Sequence, residues 1–506
     1  MELSLILSIL AAIFLAYYIS KRKDPFEVHK IHVSTKGNTW LWLFGRKSLA
    51  HIVQDTYNDK REAKYVGFYH RMTPVVVIRD PDLIKSIAVK NFDHFPNHRN
   101  FDNENEETFF KRNLLMLRDD RWKEVRALIT PSFTSSKIRT MFPLISEAAV
   151  NVADYLSTLP AAENVIEMRD IITRYTNDVF ASCAFGIIVN SLQDRENRFY
   201  TYGRKILNLH SLAIFNIIML RTFPKLSKKL GLTLIDREVV RFFKEVVSSS
   251  IKVREDTGIV RPDFIQVMME TRGKLGPGKE LTIDDITAQA FSFFFGGFET
   301  TSSLVCFASY ELATNLDVQR KLHREIDDIC ERIDGEITYE KLLDSKYLDA
   351  VIDETLRMYP VIPFIDRQCS KRFELPAAMP GMKPYIVNEG DLLWIPIYAV
   401  QRDPKYFEKP DSFEPDRFLR KSSGSFDHAA YFPFGVGPRI CIGSRFALIQ
   451  AKLVLFHILA RCELKVSWRT RVPMELKKTG VFLNSANGFW LQISPRDKSH
   501  DVHEGV

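Results

Sequence analysis

The stretch Phe434-Gly435-Val436-Gly437-Pro438-Arg439-Ile440-Cys441-Ile442-Gly443 decides how this chain is read. It fills all five fixed positions of the pattern Phe-x-x-Gly-x-Arg-x-Cys-x-Gly, which ordinary residue frequencies place in a chain of this length roughly once in ten thousand. Directly after it, Ile442 to Ala460 reads as a helix. Phe446, Leu448, Ile449, Leu453, Leu455, Phe456 and Leu459 make that helix apolar on most of its circumference. Cys441 is thereby expected at a helix N-terminus, where free N–H groups and the helix dipole lower a thiol pKa. A thiolate donates strongly to iron. Gly437 and Gly443 are expected at positive φ, which lets the backbone approach a flat ligand. Arg439 offers a cation to an acidic group, and Phe434 would shield the sulfur from water. The bland alternative is a buried structural cysteine in a loop, which leaves the other four positions unexplained.

These ten residues resemble the cysteine loop of the cytochrome P450 family. The resemblance implies a mainly α (α+β) fold, with a large helical part and a small β-rich part. It also implies haem b (iron protoporphyrin IX) as cofactor, with Cys441 as the iron ligand and Arg439 on a haem propionate. Phe434 and Gly443 would lie beside the macrocycle. Thiolate ligation is the arrangement that favours breaking the O–O bond of dioxygen.

The rest of the composition is compatible. At 506 residues, with 45% hydrophobic and 26% charged, the chain is long enough to bury a large core. A net charge of +7 is mild for this length and lacks the clustered basic stripe of a nucleic-acid binder. An acidic protein partner or an anionic membrane surface accounts for it equally well. The six cysteines show no Cys-x-x-Cys spacing, so neither a zinc site nor a disulfide framework is expected.

Leu3 to Ile19 carries no charge and is just long enough to cross a bilayer, with Lys21-Arg22-Lys23 behind it. Residues 1–20 are therefore expected to be a single-pass anchor with the following chain cytosolic, rather than a cleaved signal. Residues 21–45 read as a linker in which Trp40-Leu41-Trp42-Leu43-Phe44 suits a membrane interface or the core. Residues 46–497 are the expected catalytic domain and 498–506 a tail. Tyr65 to Tyr69 and Pro74 to Ile78 read as paired strands, with a helix opening at Asp80-Pro81 and running through Lys90. Residues 101–110 would cover the substrate pocket.

Trp122 and Arg126, four apart, fall on one helical face and can turn N–H groups toward one anion. In the family such a pair binds a propionate, although the same spacing commonly makes a surface cation–π pair. Residues 206–220 and 223–230 read equally as packed helices or as a lid touching membrane, and 273–278 as a linker. Thr282 and Asp285 then form a capping-box start to a long helix reaching about Asn315. At its centre Gly296-Gly297-Phe298-Glu299-Thr300-Thr301 spends helix stability on a glycine pair, so something needs the space. The family's distal motif has this form. It implies catalytic roles for Thr300, which can bend the helix and hold a water, and for Glu299, which can refill a proton chain. Glu354 and Arg357, with Arg417 in Pro415-Asp416-Arg417-Phe418, resemble the family's buried structural triad. Arg367 matches a third propionate contact, and residues 360–364 would line the pocket.

The implied activity is insertion of one oxygen atom of dioxygen into a lipophilic molecule. Electrons would come from NADPH through NADPH–cytochrome P450 reductase, with cytochrome b5 as an optional partner. Arg445 and Lys452 are candidates for that docking face and equally for solvated helix charges. Phe92-Asp93-His94-Phe95, Arg261-Pro262-Asp263-Phe264 and the phenylalanine-rich distal helix resemble insect microsomal members associated with foreign-compound metabolism. That places the chain on the endoplasmic reticulum membrane. Two rivals are a reductase-independent haem-thiolate isomerase, which Glu299 and Thr300 disfavour, and a non-catalytic haem or lipophile-binding protein.

Overall fold

The structure is a computed structural model that describes residues 24–99, 109–207, 219, 224–230, 232–233, 236–272, 281–333, 335–419 and 427–496. The expected anchor, the 101–108 loop, most of 206–223 and the 273–278 linker lie outside the described residues. Among the described residues no helix is long and apolar enough to cross a membrane.

After a single helical turn at Pro25–Val28, two further short helices, α1 (Thr39–Leu43) and α2 (Leu49–Asn58), lead into the hairpin β1 (Tyr65–His70) and β2 (Thr73–Ile78). Their alternation of Val, Tyr and Phe around the Arg71-Met72 turn gives antiparallel pairing, with Tyr65 opposite Ile78. After Pro81–Lys85 the chain widens into a π-helical turn at Ser86–Lys90. The helical body follows as α3 (Asp119–Ile129), α4 (Ser135–Ser157), α5 (Met168–Phe185), α6 (Arg198–Leu207), α7 (Arg237–Thr257), α8 (Phe264–Thr271), α9 (Ile283–Thr314), α10 (Leu316–Glu331), α11 (Lys346–Met358) and α12 (Ser444–Arg461). Strand β3 (Val165–Glu167) precedes α5. Later come β4 (Ile365–Gln368), β5 (Phe373–Leu375), β6 (Tyr385–Val387) and β7 (Leu392–Ile395), then β8 (Cys462–Val466) and β9 (Trp490–Pro495).

The four-stranded sheet runs β1-β2-β7-β4, parallel only between β2 and β7, and pairs Arg367 with Leu393 on its edge strand. A second sheet runs β3-β9-β8, and β5 pairs with β6. The expected division into a large helical part and a small β part is what the chain forms.

Helix α9 is the axis of the molecule. Its start is the capping box read from sequence: the Thr282 hydroxyl accepts from Asp285 N, and Thr282 N donates back to the Asp285 carboxylate. At 32 residues it is about 48 Å long, and it is apolar nearly all round because α5, α7, α11 and α12 pack about it. Helix α12, buried from Ile449 to Leu459, lies against it and carries the cysteine loop at its N-terminal end.

Candidate active site

The cysteine loop closes on itself through three backbone bonds. Gly435 N donates to Phe432 O at 2.9 Å, Ile440 N to Gly437 O at 2.9 Å, and Cys441 N to Phe434 O at 3.0 Å. The loop needs left-handed backbone at Gly435 (φ 84°) and Gly437 (φ 79°). Gly437 is also held by contact: a Cβ there would lie 1.9 Å from Ala88 O in the π-helical turn. Gly443 departs from expectation. Its φ is −92° because it is the N-cap of α12, and an added Cβ would meet only Phe133 at 3.6 Å. The glycine the sequence reading passed over is Gly435.

Cys441 presents exposed surface although protein mass surrounds it. Burial pushes its thiol up from the ordinary range, against the pull of the Gly443 amide and the Arg126 guanidinium. This corrects the expectation of a thiol acidified by the helix end. The helix begins at Ser444, and desolvation outweighs the one amide that reaches the sulfur. A bound metal ion deprotonates such a thiol outright.

Three arginines form a cluster that starts beside the sulfur: Arg126 acts on the thiol, and Arg439 lies near both Arg126 and Arg367. Arg126 donates to Ile440 O at 3.0 Å. Arg439 donates to Pro96 O at 2.7 Å and Leu117 O at 2.9 Å, and its guanidinium lies 4.0 Å over the Trp122 ring. Among the described residues Arg367, 1% exposed, reaches only the carbonyls of Asp366 and Val436, and its Nε has no hydrogen-bond partner there. None of the three forms an ion pair with a carboxylate among the described residues. Burial, then Arg367 and Arg126, holds Arg439 down at about 9, and burial holds Arg367 at about 10. Three neighbouring guanidiniums, Arg367 among them fully buried, without a paired carboxylate among the described residues make a cradle suited to an anion. Its donor set suits the two carboxylates of a haem whose iron Cys441 would hold. Trp122 does not simply aim with Arg126 at that anion; it is the platform on which Arg439 is stacked.

On the distal side the two central glycines differ. A Cβ on Gly297 would sit 2.0 Å from the Phe180 ring of α5, whereas one on Gly296 meets nothing within 4 Å. Gly297 therefore serves helix packing, and Gly296 alone leaves open space. Thr300 Oγ1 donates back to Gly296 O at 2.5 Å, the helix-bending bond expected of it. The Glu299 carboxylate is ion-paired with Arg169 at the start of α5, and Arg169 also donates to Asn484 Oδ1 at 2.7 Å. Nothing in the sequence near Glu299 announced that partner.

Glu354, Arg357 and Arg417 meet as a closed network. Arg357 grips Glu354 at 2.7 and 2.9 Å, and Arg417 Nε donates to the same carboxylate at 3.1 Å. Of the 360–364 segment, Ile362 is exposed while Phe364 stacks on Trp394 at 3.9 Å. Lys452 is not on a docking face: it is 2% exposed and paired with Asp349 at 2.7 Å, because α12 is buried all round. Arg445 is exposed. Sequence reasoning missed His98, Asp366 and Arg118, which border the arginine cradle.

The cytochrome P450 family model matches residues 36–492. The chain is 40% identical over 489 residues to cytochrome P450 9e2 of Blattella germanica, covering 91% of each. It is 39% identical to probable cytochrome P450 9f2 of Drosophila melanogaster, over 91% of this chain and 92% of that one. With cytochrome P450 6j1 of Blattella germanica it shares 35% over 90% of each. The chain belongs to the cytochrome P450 family, and its class of enzyme is the P450 monooxygenase.

Proposed function

We propose that this chain is a microsomal monooxygenase of lipophilic small molecules, foreign compounds among them, with residues 46–497 as its catalytic domain. The observation that carries this is an accessible cysteine beside Arg126, with Arg367 and Arg439 in the same cluster and none of the three ion-paired with a carboxylate among the described residues. Cys441 would hold the haem iron, with Trp122, Arg126, Arg367 and Arg439 on its acidic edge and Phe434 and Gly443 beside it. When bound, the haem supplies an iron at which dioxygen is activated, one oxygen atom passing to substrate and the other leaving as water.

The chain's own residues do the remaining work. Thr300 keeps its proton on Gly296 O and can turn it toward the open space beside Gly296. Glu299, paired with Arg169, which Asn484 holds in turn, restores that proton from the adjacent helix position. Phe293, Phe294 and Phe298 keep water from the rest of the helix face by packing into the aromatic core. Rearrangement of a peroxide requires neither the threonine nor the glutamate, which argues against an isomerase.

Electrons would arrive from NADPH through NADPH–cytochrome P450 reductase, with cytochrome b5 as an optional partner. Residues 1–20 would anchor the chain in the endoplasmic reticulum membrane. Trp40 of α1 and Phe44 just after it, stacked and exposed, offer a second apolar contact at the lipid interface. The test is turnover of a lipophilic substrate with reductase, NADPH and isotopically labelled dioxygen. One labelled oxygen atom in the product is expected; substrate-independent NADPH oxidation with no labelled product would contradict the reading.

A further inference from the structure

Glu299, next to Thr300 at the centre of α9, divides its carboxylate. Oε1 is ion-paired with Arg169 Nη2, and Oε2 has no hydrogen-bond partner among the described residues. The Glu299 side chain is 14% exposed and that of Arg169 21%, so water has access to a pair that otherwise lies among packed helices. Arg169 is the second residue of α5, and its base is fixed. Met168 N donates to Phe489 O at 2.9 Å, while the N-cap Glu167 accepts from Phe489 N at 2.8 Å and from Asp170 N at 3.0 Å. Its head is fixed by Asn484, whose Oδ1 accepts from Arg169 Nη1 at 2.7 Å and from Ser485 N at 3.0 Å. Asn484 belongs to a hairpin closed by the bridge between Leu476 and Ser485, and its neighbour Leu483 donates its N–H to Val361 O at 2.8 Å.

A cross-link between α5 and α9 does not call for this pair. The two helices are already joined where the Phe180 ring fills the space over Gly297 and where Thr176 Oγ1 donates to Phe298 O at 3.2 Å. Taking two charges out of water seldom stabilises a fold more than apolar packing would. What the pair does is fix the side chain beside Thr300 by one oxygen and leave the other open. We propose that Arg169 is a positioning residue for proton delivery, holding Glu299 through Oε1 so that Oε2 exchanges a proton with water and with the Thr300 hydroxyl, and that Asn484 sets the guanidinium in turn. A guanidinium suits the task, being a rigid fork of donors with no acceptor and no proton to lose, so it aims the carboxylate without competing for the proton in transit. The proton taken up at Oε2 passes to the Thr300 hydroxyl as that hydroxyl gives up its own, and both side chains end as they began. The assignment rests on the proton-delivery reading above, and it adds two residues, one on either side of α9 in the chain, that none of the sequence motifs contains.

The test uses full-length holoenzyme with reductase and a lipophilic substrate, each variant showing an intact thiolate-type spectrum. Product formed per NADPH consumed should fall about threefold or more in Arg169→Met, with peroxide release rising to match, and about twofold in Asn484→Leu. Arg169→Lys, which keeps a charge and a donor, should recover about half of the loss. Substrate affinity, read from the ferric spin-state shift, should stay within about twofold of wild type throughout. In a Glu299→Gln background Arg169→Met should lower coupling no further, since a residue that acts through Glu299 has nothing left to act on. Unchanged coupling in Arg169→Met would overturn the proposal, as would an added loss in the double variant or a loss that tracks weakened substrate binding. If Arg169→Met does not fold, Asn484→Leu is read in the same way, and unchanged coupling there overturns it as well. Unchanged coupling in Glu299→Gln would remove the proton-delivery reading together with this assignment, whereas a loss in Glu299→Gln with none in Arg169→Met removes the assignment alone.

Discussion

The chain holds two groups of arginines, one about Glu354 and one beside Cys441, and among the described residues only the first is paired with a carboxylate. Around Glu354, the guanidiniums of Arg357 and Arg417 find a carboxylate, and Arg357 spends its remaining donors on Gln401, Pro410 and Ser412 carbonyls. Around Cys441, Arg126, Arg367 and Arg439 find only carbonyls and an indole face. The first group is a lock that holds the segment leading into the cysteine loop. The second is half of a binding site. In the first the counter-ion is in the sequence, and the second is suited to take one from a ligand.

The contrast can be broken most decisively at the lock. Glu354→Ala strands two guanidiniums at once and should cost about 3–5 kcal/mol, a large share of the stability of an ordinary domain. The yield of folded, haem-loaded protein should collapse, and a wild-type denaturation midpoint would deny the lock its role. Arg367→Met should act in the opposite register. Removing a cation that no carboxylate pairs among the described residues spares the haem-free chain, while haem transfer to a scavenging globin speeds up about tenfold or more. Equal destabilisation of haem-free and haem-loaded protein would erase the difference between the two groups.

The same distinction, space the chain fills against space it leaves, separates the distal glycines. Gly297→Ala drives a methyl into the Phe180 ring and should destabilise by about 1–3 kcal/mol, read as a lower unfolding midpoint. Gly296→Ala meets nothing and gains up to about 1 kcal/mol of helix propensity, so its midpoint should hold or rise while bulky ligands bind less well. Thr300→Ala should leave stability within about 0.5 kcal/mol and raise peroxide release relative to product. Unaltered coupling of NADPH to product would remove the threonine from proton delivery.

What the sequence made legible was local. The five-position loop, the capping box at Thr282 and Asp285 and the hairpin at residues 65–78 all lie within one or two turns of chain, where spacing and propensity speak directly. The triad was readable because Glu354 and Arg357 share a helix face, with Arg417 supplied by a family motif. What was not legible was set by packing between distant segments. His98 and Asp366 are 268 residues apart, and Arg169 lies 130 residues from Glu299. The backbone angle at Gly443 followed from where α12 begins, one residue after it, and the burial of Lys452 from an α12 surrounded on every side. The Cys441 thiol was misjudged for a related reason: helix position was visible in the sequence, depth of burial was not.

The central claim is that Cys441 grips the iron of a haem whose acidic edge the unfinished arginine group completes. The most direct measurement is the spectrum of the reduced carbon-monoxide complex of purified full-length protein, alongside Cys441→Ala. The account predicts a thiolate-type Soret band in the first and none in the second. A folded wild-type protein that takes up no haem, or a thiolate-type band that survives in Cys441→Ala, would contradict it.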